Sequence, residues 1–123
     1  MKDVLIIDDE EYMRQIFARL VARTGLNVLT APTGSEGISI FKKKKPGLVF
    51  LDIMLPGLDG LDVLTILRGV DKDVKIYFIS GSDMEIDKFK DMNLNAAGYF
   101  AKPVNVAEIK TILDKYKEET EKK

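Results

Sequence analysis

The chain has 123 residues, 46% of them hydrophobic, a length and composition for one globular domain with a sizeable core. Nineteen basic and twenty acidic residues leave a net charge of -1, which excludes a global electrostatic attraction to nucleic acid or to an anionic membrane surface. With no cysteine and no histidine there is no disulfide framework, no thiolate chemistry, no Ser-His-Asp triad and no phosphohistidine on this chain, so its chemistry must run on carboxylates, hydroxyls, lysines and a metal.

Val4-Leu5-Ile6-Ile7 is a short β-branched run ending at Asp8-Asp9, the pattern of a strand buried on both faces. From Glu10 to Arg23, Tyr12, Met13, Ile16, Phe17, Leu20 and Val21 recur at helical spacing, and Gly25 stops the helix. Asn27 to Thr30 is a second strand. Thr33 and Glu36 have capping-box spacing and open a helix that holds Ile38 and Phe41 and ends at Pro46-Gly47. Leu48 to Leu51 is the third strand, followed at once by Asp52. Asp59 caps a helix carrying Leu61, Val63, Leu64 and Leu67.

Val74 to Ile79 is the fourth strand and runs into Ser80-Gly81. Ser82 and Glu85 make a second capping box, opening a helix through about Met92. Gly98 to Ala101 is the fifth strand. Asn105 caps a last helix with Val106, Ile109, Ile112, Leu113 and Tyr116 on one face, and residues 118–123 are expected to fray.

Strict β-α alternation with short connections predicts an α/β fold, a doubly wound parallel sheet of the flavodoxin-like (βα)5 kind with strand order 2-1-3-4-5. The whole chain reads as one domain, 1–123. In such sheets the functional crevice lies outside the carboxyl ends of the strands. Asp8 and Asp9 end strand one, Asp52 ends strand three, Ser80 ends strand four and Lys102 follows strand five. Each alone has an ordinary reading as a cap, a turn or a solvated surface residue. Together, three carboxylates without histidine or cysteine form a hard-oxygen site that favours Mg²⁺, and a lysine beside them suits phosphoryl transfer.

Ile6-Ile7-Asp8-Asp9-Glu10, Leu51-Asp52-Ile53-Met54-Leu55-Pro56-Gly57, Ile79-Ser80-Gly81 and Tyr99-Phe100-Ala101-Lys102-Pro103 resemble, in order and spacing over nearly the whole chain, the signature blocks of the response-regulator receiver domain. The resemblance implies that Asp52 is the phosphoacceptor for a phosphohistidine on a histidine kinase or histidine phosphotransfer protein. It implies that Asp9 ligates Mg²⁺ (Mn²⁺ being an alternative) directly, that Asp8 holds it largely through water, and that Asp52 and the Met54 backbone carbonyl complete the set. Lys102 matches the lysine that pairs with phosphoryl oxygens, Ser80 the switch hydroxyl and Tyr99 the switch aromatic. Pro103 matches a proline usually preceded by a cis peptide. Met54 and Ser82 occupy positions that tune phosphoryl lifetime in the family. Ser80 stands where threonine is frequent, and Val104 where phenylalanine often follows Lys-Pro.

After the last helix only a charged tail remains in this sequence, which favours a protein-binding output over gene activation. A phosphorelay carrier of the sporulation type is the leading expectation, a diffusible switch of the chemotaxis type the alternative. The expected protein is cytoplasmic, a monomer before phosphorylation, with neither a nucleic-acid nor a membrane partner, and no enzyme of free substrates. A haloacid-dehalogenase-type phosphatase fits poorly, because its nucleophile belongs in a D-x-D motif after strand one. The apolar residues of the first helix span more than a core stripe, so Tyr12, Met13 and Ile16 form a candidate docking edge for a partner helix.

Overall fold

The computed structural model describes residues 3–121. Five strands, β1 (Asp3–Ile7), β2 (Asn27–Ala31), β3 (Leu48–Asp52), β4 (Lys75–Ser80) and β5 (Gly98–Ala101), alternate with five helices. The helices are α1 (Glu11–Arg23), α2 (Gly34–Lys44), α3 (Gly60–Val70), α4 (Asp83–Asp91) and α5 (Val106–Glu121). All strand pairs are parallel and the order is β2-β1-β3-β4-β5, as the alternation predicts.

The period-two alternation of the strands splits the core. Leu5, Ile7, Val49, Leu51, Ile76 and Phe78 face the layer of α2, α3 and α4. Val4, Ile6, Leu48, Phe50 and Ile79 face α1 and α5. β3, central in the sheet, is buried at all five positions, which is why its sequence is continuously apolar rather than alternating. On the α1–α5 face, Phe17, Phe50, Tyr77 and Phe100 form a chain of ring contacts with centroids 4.8, 5.4 and 5.6 Å apart, crossing from α1 over the last three strands. Such pairs add about 0.5–1.5 kcal/mol each beyond the area they bury.

The caps form where the sequence places them. Thr33, Asp59, Ser82 and Asn105 accept from the backbone N–H three residues on, at Glu36, Asp62, Glu85 and Glu108.

Three expectations change. Helix α5 does not fray from residue 118 but continues to Glu121; Lys75 Nζ holds Glu119 at 3.0 Å, and Thr120 Oγ1 donates to the Lys117 carbonyl. Residues 122 and 123 lie outside the described residues. Val106 does not share the buried face of Ile109, Leu113 and Tyr116, because it sits in the first turn of α5 and is exposed. On α1, Met13 joins Phe17, Leu20 and Val21 in the core, at i, i+4, i+7 and i+8. Met13 is therefore not a docking residue. Ile16 is half-buried against the same core, and only Tyr12, one position off the stripe, is exposed.

Candidate phosphoacceptor and cation site

The side-chain alternation extends to the strand ends. Asp8 continues the Val4–Ile6 parity, Asp52 the Leu48–Phe50 parity, and Lys102 that of Phe100, which packs on the α1–α5 face. Parallel register sets β1 and β3 side by side, Ile7 opposite Leu51, so the two acids emerge together. The Asp8 N–H still bonds to the Ala31 carbonyl, and Lys102 N–H to the Ser80 carbonyl, so both residues are held by the sheet.

Lys102 Nζ lies 3.1 Å from Asp8 Oδ2 and 3.2 Å from Asp52 Oδ2, and also contacts Glu10 Oε1. Asp52 Oδ1 accepts from the Met54 N–H at 2.9 Å; Asp8 Oδ1 accepts from the Glu10 N–H at 2.8 Å. Arg14 Nη1 donates to the Asp8 carbonyl. Asp8 and Asp52 are buried, and burial raises the pKa of each. Asp52 is pushed to about 6, against the lowering effects of the Met54 N–H and Lys102, with the Asp8 charge adding to the rise. For Asp8 the Glu10 N–H and Lys102 work against the same burial. Burial opposes the charged form of Lys102, but the Glu10 and Asp8 carboxylates in contact with it and the Asp52 charge outweigh it, so its pKa lies above the ordinary lysine value.

Asp8, Glu10 and Asp52 each offer an oxygen, all within 4.8 Å of one another. Asp8 Oδ2 is buried and accepts no hydrogen bond; its contact with Lys102 is an ion pair without hydrogen-bond alignment. An oxygen-only donor set with such an acceptor fits a hard cation. Glu10 was not singled out in the sequence, whereas Asp9, expected as a direct ligand, is exposed and outside this set. Residues 8–10 lie beyond the end of β1, with Asp9 in a bend and the Glu10 N–H turned back onto Asp8 Oδ1.

Ser80 is fully buried at the end of β4, and its Oγ accepts from the Ser82 N–H at 3.0 Å. The strand pairing sets Asp52 opposite Ile79, the residue before it. Tyr99 is half-buried, stacks on Phe78 with centroids 5.7 Å apart, and donates its hydroxyl to the Phe89 carbonyl of α4 at 3.4 Å. The Lys102–Pro103 peptide is cis. The Met54 side chain is exposed, leaving its backbone as the part that meets Asp52.

The four most exposed large apolar side chains among the described residues are Tyr12 (70%), Met54 (56%), Met84 (78%) and Val106 (49%). Each lies in the first turn of a helix or in the loop just beyond a strand end, so all four sit at the edge of the sheet that carries the acids. No helix of the described residues is long and apolar enough to cross a membrane.

The response regulator receiver domain model matches residues 4–114. The alkaline phosphatase synthesis transcriptional regulatory protein PhoP of Bacillus subtilis is 35% identical over 108 residues, 88% of this chain and 45% of that protein. Sporulation initiation phosphotransferase F of the same organism is 29% identical over 114 residues, 92% of this chain and 91% of that protein. Among solved structures, a CheY-like receiver domain protein from Methanospirillum hungatei superposes with a TM-score of 0.81 at 26% identity, covering 97% of this chain and 98% of that one. The chain spans about half the length of most of the curated relatives it matches. With the family model covering nearly its whole length, the chain belongs to the response regulator receiver domains of two-component systems.

Proposed function

We propose that Asp52 accepts a phosphoryl group from a phosphohistidine on a partner kinase or phosphotransfer protein, and that the domain relays it onward. The observation that carries this reading is a buried carboxylate at the end of β3 facing Lys102 Nζ at 3.2 Å. Its Oδ1 is tied to the Met54 N–H, leaving Oδ2, beside the ammonium, as the attacking atom. With a pKa near 6 it is ionised at neutral pH yet more basic than an ordinary aspartate, which favours nucleophilic attack.

In the step, Asp52 Oδ2 attacks phosphorus, the N–P bond of the donor breaks, and the imidazole leaves with the bonding pair. Lys102 turns from the carboxylates to a phosphoryl oxygen. The Ser80 hydroxyl, one residue past the strand partner of Asp52, offers a second donor to the phosphoryl group. Asp8 and Asp52 would hold Mg²⁺, with Asp9 and the Met54 carbonyl at the same edge. Mg²⁺ supplies neutralisation of the charge on the phosphoryl oxygens. The apolar rim of Tyr12, Met54, Met84 and Val106 around a charged centre suits a protein donor. The reading places the protein in the cytoplasm, where the phosphohistidine donors of these systems act.

The relay is tested by presenting the phosphorylated domain with a histidine phosphotransfer protein. Transfer of label to histidine supports it. Label that stays on Asp52 while binding of another target tightens would favour a diffusible switch instead.

A further inference from the structure

The Lys102 ammonium lies against three carboxylates, donating to those of Glu10 and Asp52 and pairing by charge with that of Asp8. Two of these, Asp8 Oδ2 and Asp52 Oδ2, belong to the pair of buried acids that a divalent cation needs. An ammonium and a divalent cation sharing the same oxygens repel each other across a poorly screened site. Occupation by the cation therefore requires the ammonium to give up at least part of that contact, and a lysine left without a counter-charge in a mostly buried position resists doing so.

Glu10 differs from the other two acids. It is exposed, while its backbone is fixed by the N–H bond to Asp8 Oδ1 at 2.8 Å. Its carboxylate is thus on a long arm with an anchored base, at the solvent side of the cluster. Asp8 Oδ2, fully buried and without a hydrogen bond, is the acceptor left for the incoming cation. The one basic side chain nearby on α1, Arg14, is engaged with the Asp8 carbonyl at 2.7 Å rather than with Glu10.

We propose that Glu10 is a positioning residue: its carboxylate is the second berth for Lys102, drawing the ammonium off Asp8 Oδ2 and Asp52 Oδ2 when a divalent cation takes those oxygens. Lys102 then stays at the mouth of the site, charged and close to where a phosphoryl oxygen arrives. Glu10 acts on the cation through Lys102, not as its ligand. This inference rests on the cation reading given under the proposed function.

Calorimetric titration of Mg²⁺ into four proteins separates the alternatives: wild type, Glu10→Gln, Lys102→Met and the double variant. Glu10→Gln is expected to weaken Mg²⁺ binding about tenfold in the wild-type background, a coupling usual for residues within one ionic network. In the Lys102→Met background the same change is expected to weaken it less than about threefold, since there is no ammonium left to berth. Lys102→Gln, uncharged but still a hydrogen-bond donor, serves as the background should Lys102→Met not fold. Equal losses in the two backgrounds would overturn the inference, leaving Glu10 as a plain negative charge. A larger loss without Lys102 would also overturn it, making Glu10 a direct ligand. Wild type that binds no Mg²⁺ at millimolar concentration would overturn the cation reading and the inference with it.

Discussion

Lys102 and Asp52, fifty positions apart in the chain, meet at 3.2 Å, and Asp8 Oδ2 stands 3.1 Å from the same ammonium. Asp52 ends β3, and Asp8 and Lys102 each stand one residue beyond a strand end, so the sheet sets the spacing of these three.

Removing the cation from this cluster leaves two buried acids facing each other. Lys102→Ala is expected to lower stability by about 2–3 kcal/mol at neutral pH in chelator, because a lost partner leaves buried charge uncompensated. Mg²⁺ should restore more stability to this variant than it adds to the wild type. Urea melts with and without Mg²⁺ check this; an unchanged midpoint in chelator would contradict it.

Asp52→Asn should stabilise the metal-free protein, with a defined pH dependence. The folded pKa of Asp52, about 6, lies above its unfolded value near 4, so the folded state holds the proton more tightly. Ionisation therefore costs stability progressively as pH rises from about 4 to 6, and the full cost persists above 6. The asparagine avoids that cost and still accepts from the Met54 N–H. An advantage of about 2 kcal/mol at pH 7.5, fading as pH falls from about 6 to about 4, is expected from melts in chelator. An advantage independent of pH would contradict the assignment of the shift to Asp52.

Gly60 opens α3 directly under the loop that follows Asp52. A Cβ there would stand 2.9 Å from the Ile53 Cα and 3.1 Å from its carbonyl oxygen, backbone atoms that cannot rotate away. Gly60→Ala is expected to cost about 1–3 kcal/mol and to slow phosphorylation by displacing the Ile53–Met54 segment. Gly69→Ala, an exposed α3 position where a Cβ meets nothing, should instead stabilise by about 0.5–1 kcal/mol. Equal effects of the two substitutions in denaturant melts would contradict this reading.

Much of this was legible in the sequence because two periodicities govern it. Continuous apolar runs of four or five residues marked strands covered on both faces, and the four caps were visible as hydroxyl, carboxylate or amide residues before helical spacing. Asp8, Asp52 and Lys102 were legible as strand-end residues because a doubly wound sheet brings strand ends to one edge. Glu10 was not legible because it lies beyond the end of β1, where a turn onto Asp8 rather than strand or helix periodicity sets its position. Met13 was misplaced as a docking residue because the width of the apolar arc on α1 was weighed without the centre of the stripe. The end of α5 was misjudged because charge in residues 118–121 was read as a lack of tertiary contact, and the Lys75–Glu119 pair bridges forty-four positions that local pattern does not connect.

The apolar rim gives a further expectation. Tyr12→Ala, at the outermost of the α1 positions, should leave phosphorylation by a small acyl phosphate unchanged while slowing transfer from a protein phosphohistidine donor about tenfold, as loss of an exposed aromatic anchor does at an interface. Stability should change by under about 0.5 kcal/mol, since the side chain is exposed. Equal rates from the two donors would place the contact surface elsewhere.

The central claim is that Asp52 is a phosphoacceptor. Its most direct test is the intact mass of the protein after incubation with acetyl phosphate and Mg²⁺, wild type beside Asp52→Asn. The account predicts one added phosphoryl group on the wild type, none on Asp52→Asn, and none on either protein in excess chelator. Equal labelling of the two proteins, or labelling of the wild type unaffected by chelator, would contradict it.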